Sequence, residues 1–134
     1  MINHLFVYGT LKEGRPLDRL EFKQIRTRVR QATILGKIYN LGWFPGVKLS
    51  GDKQVFGEVH TFPQDKMKEV LEQMDRIEGY REDRPEDQNM YNRRIVKAAT
   101  EAGEEVDAYV YEFARVPPDD GFLPEGVWEP KVEK

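Results

Sequence analysis

The sequence has no cysteine and only two histidines, His4 and His60. The first absence excludes disulfides, thiolate catalysis and cysteine-based metal sites. The second leaves any metal site to carboxylates, and no group of residues shows ligand spacing, so no metal and no cofactor is expected. An excess of one charge is also missing. Charged residues make up 34% of the 134 positions, yet the formal net charge is −3. So balanced a surface argues against nucleic acid or an anionic membrane as the main partner. No apolar run approaches transmembrane length, and no basic segment followed by an apolar stretch and a cleavage site opens the sequence. Neither a membrane span nor a signal peptide is expected, and a cytoplasmic location is the default. Internal repeats and low-complexity stretches are absent. The length suits one domain with a real core.

What is present reads as short strands around one clear helix. Residues 3–8 form an apolar strand that stops abruptly at Tyr8-Gly9-Thr10-Leu11. Pro16 to about Ile25 reads as a short helix with Leu17, Leu20 and Ile25 inward. The pattern is extended from Thr27, and Ile34 to Tyr39 is a second strand ending at Asn40-Leu41-Gly42. Val55–Phe62, Asn92–Ala98 and Val106–Phe113 follow, the last two joined as a hairpin through Glu101-Ala102-Gly103-Glu104. Asp65–Ile77 carries Met67, Val70, Leu71, Met74 and Ile77 at helical spacing, with Pro63 and Asp65 suiting its start and Gly79 its end. These elements predict an α+β domain, a small mixed β-barrel with flanking helices. Residues 1–115 are assigned to it, and residues 116–134 to a proline-rich C-terminal extension. Phe122, Leu123 and Trp128 could pin that extension to the body, with a frayed end after Pro130.

Two features stand out chemically. Gly9, directly after a buried strand, either adopts a backbone geometry closed to other residues or lets another group approach the main chain. Successive N–H groups in such a turn can make an anion-binding concavity; a flexible joint is the plainer reading. The spacing of Gly9 and Gly14 resembles a P-loop superficially. Arg15-Pro16 follow where Lys and then Ser or Thr are required, so nucleotide hydrolysis is rejected. The second feature is Glu78, one turn beyond Met74 and therefore aimed along the apolar stripe. An inward carboxylate at a helix C-terminus should have a raised pKa, which suits general acid–base catalysis. The alternative is a Glu that bends to solvent or pairs with Arg93 or Arg94.

The remaining signals are weaker. Arg26, Arg28 and Arg30 alternate along an extended segment as a solvated edge. Trp43-Phe44-Pro45-Gly46 reads as a loop that fills the core or walls a pocket. Tyr109, Tyr111 and Phe113 share one strand face. Glu82–Asp87 is a solvated loop.

Taken together, the pieces resemble the γ-glutamylcyclotransferase-like superfamily, nearest its branch of γ-glutamylamine cyclotransferases and plant avirulence-induced proteins. The likeness rests on Val7-Tyr8-Gly9-Thr10-Leu11, Gly36–Gly42, Phe44-Pro45-Gly46, Val55–Val59, Met74–Tyr80, Tyr91–Arg94 and Ala108–Tyr111, in the family's order. The resemblance implies a barrel with a cavity at the end of the first strand. It implies that Tyr8, Gly9, Thr10 and Leu11 hold the γ-glutamyl group, that Glu78 is the catalytic acid/base, and that Tyr91 and Tyr111 line the same pocket. The implied reaction is cyclotransfer on a small γ-glutamyl amide, in which the substrate's own α-amine attacks its γ-carbonyl and releases 5-oxoproline and an amine. An intramolecular nucleophile needs neither cysteine nor metal. The implied partner is a small-molecule substrate, with the protein a monomer or weak homo-oligomer. A non-catalytic ligand- or protein-binding module on the same fold is the alternative, and ring closure on a macromolecular substrate a third possibility.

Overall fold

The structure, a computed structural model, describes residues 1–15, 18 and 20–129. Among the described residues, seven strands and one α-helix run in the order β1 (His4–Val7), β2 (Arg28–Leu35), β3 (Lys37–Asn40), β4 (Pro45–Lys48), β5 (Gln54–Thr61), α1 (Met67–Glu78), β6 (Tyr91–Thr100) and β7 (Glu105–Phe113). Five strands close a barrel in the order β1-β5-β2-β6-β7, while β3 and β4 pair as a separate two-stranded sheet. All barrel ladders are antiparallel except the closing β1–β7 contact, which is parallel at Leu5 and Tyr109. The expected α+β fold with a small mixed barrel is thus the observed one.

Strand alternation builds two cores. Phe6, Tyr8, Ile34, Val59 and Val110 belong to one, which fills the barrel. The intervening residues Leu5, Val7, Tyr91 and Tyr111 meet Met67, Val70 and Met74 of α1 in the other. Tyr109 and Phe113 pack against this second core, so the aromatic face of β7 is the face α1 covers.

Several expectations need correction. Ile77 is 39% exposed and leaves the buried face of α1. At roughly 100° per residue it lies about 80° around the helix from Met67, whereas Glu78 lies only about 20° away. The expected strand Ile34–Tyr39 is two strands broken at Gly36, where a Cβ would stand 2.6 Å from the Lys48 carbonyl. Pro45-Gly46 is not loop but the start of β4, since β3 pairs with it from Lys37↔Lys48 to Asn40↔Pro45. Trp43 is 63% exposed and fills no core. Arg26, Arg28 and Arg30 do not form a solvated stripe: Arg30 faces inward in register with Ala32 and Ile34, is buried, and pairs with Glu104 at 3.2 Å. Of the expected helix over 16–25, Pro16 and Leu17 lie outside the described residues; a 3₁₀ turn occupies Glu21–Lys23, and Ile25 is exposed.

After Val116 the chain runs along the barrel. Leu123 donates its N–H to the Ile38 carbonyl, Phe56 donates to that of Gly126, and Trp128 enters the barrel core with its Nε1–H on Asn40. The end after Pro130 lies outside the described residues. Among the described residues no helix is long and apolar enough to cross a membrane.

Candidate active site

Where β1 ends, the chain turns away from the barrel and leaves a cleft of about 50 Å³, room for a few water-sized groups. Tyr8, Gly9, Thr10 and Leu11 line one side, Met74 and Glu78 of α1 another, and Tyr91 and Tyr111 a third. Every site residue expected from the sequence therefore meets at one place, although Glu78 is far from the N-terminal turn in the chain. Phe44 and Pro45 complete the wall.

The turn's geometry resolves the two readings of Gly9. Its φ is not positive, whereas that of Gly14 is +82°. Gly9 is needed because a Cβ there would stand 2.8 Å from Pro45 Cγ and 2.9 Å from Pro45 Cδ. Close approach, not unusual dihedrals, is the requirement. Lys12 donates its N–H to the Gly9 carbonyl and closes the turn. The next two amides each hold a carboxylate, Glu13 N–H that of Glu58 at 2.7 Å and Gly14 N–H that of Asp18 at 3.2 Å. Among the described residues no partner takes up the N–H groups of Gly9, Thr10 or Leu11. The loop is thus already anion-receptive along its outer half and has open donors along the half that lines the cleft.

Glu78 is the last residue of α1, and Gly79 ends the helix in the left-handed region at φ 67°. Glu78 as a whole is half-buried with its carboxyl at the inner end, and neither Arg93 nor Arg94 reaches it. Arg93 pairs with Asp75 at 2.7 Å and lies over the rings of Tyr80 and Tyr109; Arg94 pairs with Glu86 and Glu112. With no cation paired to it among the described residues, burial pushes Glu78 up from its ordinary 4.5 to about 7.

The three tyrosines behave differently. Tyr8 donates to the Tyr111 carbonyl, Tyr91 to the Pro45 carbonyl, and Tyr111 to Asp75, each at 2.6 Å. Burial is the main reason each stays protonated, with the charge of Glu78 adding to it. Among the described residues that line the cleft, Glu78 is therefore the one group that titrates near neutrality. The tyrosine hydroxyls brace the walls, because each already spends its proton on the protein. Asp75, which sequence reasoning missed, anchors Tyr111 and Arg93 from three residues before Glu78, on the same side of α1. That i, i+3 spacing was the available signal.

Comparison with known proteins follows the same lines. A family model described as gamma-glutamyl cyclotransferase, AIG2-like, matches residues 5–130. No curated protein sequence matches. Among solved structures, an AIG2-like protein from Mus musculus is 19% identical with a TM-score of 0.63, covering 95% of this chain and 88% of that one. A solution structure from Arabidopsis thaliana is 22% identical with a TM-score of 0.67, covering 90% and 74%. A structure named gamma-glutamyl cyclotransferase is 19% identical with a TM-score of 0.51, covering 82% and 65%. At these identities the likeness is one of fold.

Proposed function

We propose that this chain, which belongs to the gamma-glutamyl cyclotransferase, AIG2-like family, releases 5-oxoproline and an amine from a small γ-glutamyl amide. The observation that carries the reading is the pairing, in one cleft, of open main-chain N–H groups with a single neutral-range carboxyl.

The substrate's α-carboxylate sits against the N–H groups of Gly9, Thr10 and Leu11, which supply hydrogen bonds without a charged side chain. Its γ-carbonyl and α-amine then face Glu78. Ring closure forms the bond between the α-nitrogen and the γ-carbon, and breaks the bond between that carbon and the leaving nitrogen. The attacking ammonium must first lose a proton. A peptide's α-amino group titrates at about 7.7–8.0, and the free α-carboxylate makes the substrate's amine more basic, so the rise of Glu78 to about 7 narrows the gap that proton transfer has to cross. Glu78 next returns that proton to the departing nitrogen and is regenerated. The ring nitrogen, once bonded to the γ-carbon, sheds its second proton, which leaves with the released amine as an ammonium. Holding the chain folded removes the rotational entropy of cyclisation, the largest barrier term that positioning alone can lower. The walls of Tyr91, Tyr111, Met74 and Pro45 keep the reacting atoms out of bulk water.

The test is mass spectrometry of a panel of γ-glutamyl amides incubated with the wild type and with Glu78→Gln. Equimolar 5-oxoproline and free amine from the wild type, lost in the variant, support the reading. Retention of an intact amide without turnover would instead indicate a binding module.

A further inference from the structure

Away from the cleft, the barrel's outer surface holds a buried chain of three titratable side chains that the proposed reaction leaves unused. In β5, Val55 and Val59 face the barrel core, so the alternate residues Glu58 and His60 face outward. They are nevertheless buried, with the Glu13 N–H against Glu58 and Lys23 against His60. Lys23, in the 3₁₀ turn Glu21–Lys23, is fully buried beside them.

The contacts are continuous. Lys23 Nζ meets His60 Nδ1 at 2.5 Å, and His60 Nε2 meets Glu58 Oε1 at 2.9 Å. The same Glu58 oxygen accepts the Glu13 N–H at 2.7 Å, while Oε2 faces Gln31 Nε2 at 3.4 Å. A charged Lys23 donating to Nδ1 leaves Nε2–H to donate to Glu58. Moving one proton from lysine to imidazole preserves the same net charge and the same donor toward the carboxylate. Among the described residues, the other charged groups acting on this cluster are Asp18 and Arg26. Arg26 pairs with Asp18 at 2.7 Å and lies 3.5 Å from Glu13.

Burial by itself would raise Glu58, yet the hydrogen bonds from His60 and from the Glu13 amide outweigh it and hold the carboxyl below its ordinary value. Burial pushes Lys23 down to about 7 and lowers His60 as well. The acceptor gripping the loop is therefore ionised at neutral pH.

We infer that Glu58, held by His60 and Lys23, is a positioning residue that fixes the loop so that the Gly9, Thr10 and Leu11 amides point into the cleft. The grip lies two residues beyond those amides, at a hydrogen bond between the loop and β5. Its far end has a second consequence. The turn carrying Lys23 packs against α1, so one buried chain joins the loop to the helix that bears Glu78. The inference rests on the cyclotransfer reading for its kinetic consequence, but the hold on the loop can be measured without turnover.

The experiment compares wild type, Glu58→Gln and Lys23→Met by steady-state kinetics on a turned-over γ-glutamyl amide and by amide hydrogen exchange. Gln keeps the size of Glu58 but loses its charge, so the bonds that Oε1 accepts from His60 and Glu13 weaken, and its NH₂ group falls on the side of Gln31. It should raise KM by about tenfold, more than it lowers kcat, and speed exchange at Glu13 by a similar factor. Exchange at Val59 and Val110 in the barrel should stay slow. Lys23→Met should move KM and Glu13 exchange the same way by a smaller factor, and it supplies the test if Glu58→Gln does not fold. Unchanged Glu13 exchange and KM in a folded variant overturn the inference. Loss of protection throughout the barrel overturns it too, since Glu58 would then be a general structural group. A wild type that turns over no γ-glutamyl amide overturns the cyclotransfer reading alone. Faster Glu13 exchange in Glu58→Gln then still supports the hold on the loop, and unchanged exchange still overturns it.

Discussion

Replacing Glu78 by glutamine should make the protein more stable while destroying its activity, and the size of the gain should depend on pH. Burial raises the Glu78 carboxyl from 4.5 to about 7, which corresponds to about 3 kcal/mol of unfavourable interaction with the ionised form. Between pH 4.5 and 7 the folded state binds more protons at this site than the unfolded state. Wild-type stability therefore falls as pH rises through that window, and the cost is fully present above about pH 7. Below about 4.5 the carboxyl is neutral in both states and contributes nothing. The substituted glutamine side chain stays neutral throughout, although its amide still bears part of the desolvation. The variant should match the wild type at about pH 4 and exceed it by about 2–3 kcal/mol at about pH 8. For a domain of this length that is a rise in Tm on the order of 10 °C. Turnover should drop by about 10²–10⁴-fold, the usual contribution of a positioned acid/base. Urea unfolding at about pH 4, 6 and 8, run beside 5-oxoproline release, measures both. A stability difference that does not grow across that range would refute the claim that burial of an unpaired carboxyl sets its pKa. Undiminished turnover would refute its role.

Three other perturbations have defined outcomes. Because the base must be ionised to accept a proton, wild-type kcat/KM should fall as pH drops through about 7; an acid limb near the ordinary carboxyl value in a pH–rate profile would contradict the site's electrostatics. Gly9→Ala drives a Cβ to within 2.8 Å of Pro45 Cγ and should cost about 1–3 kcal/mol in stability, with KM raised because the adjacent amides move; chemical denaturation and kinetics together check it. Trp128→Ala empties a site that is 2% exposed and should cost about 3–5 kcal/mol, measurable as a lower urea midpoint.

The helix is readable because its apolar spacing repeats over three turns, and the same arithmetic aims Glu78 inward from the sequence alone. Ile77 misleads when hydrophobicity is counted without angular position, which puts it at the far edge of the stripe. The start of β4 escapes notice because Pro45-Gly46 is turn-like locally, and only pairing with β3 makes it a strand. The charge of Arg30 suggests solvent, whereas its side is set by the register of β2 with β5. Lys23, Glu58 and His60 cannot be assembled from the sequence at all. No local period links them, and a lysine in a short turn looks solvated until the fold covers it.

The parallel contact of β1 with β7 also bears on how the chain acquires its shape during synthesis. Leu5 meets Tyr109, and the barrel core is filled by Trp128. The first strand therefore waits for the chain to emerge as far as β7, some hundred residues on, before it gains both of its neighbours. With its pairings so far apart in sequence, the barrel belongs among folds that close in milliseconds to seconds rather than microseconds. Until then the apolar residues Leu5, Phe6 and Val7 on the ribosome-bound chain are an exposed, sticky segment, and a slow translation pause just after β7 would lengthen that exposure.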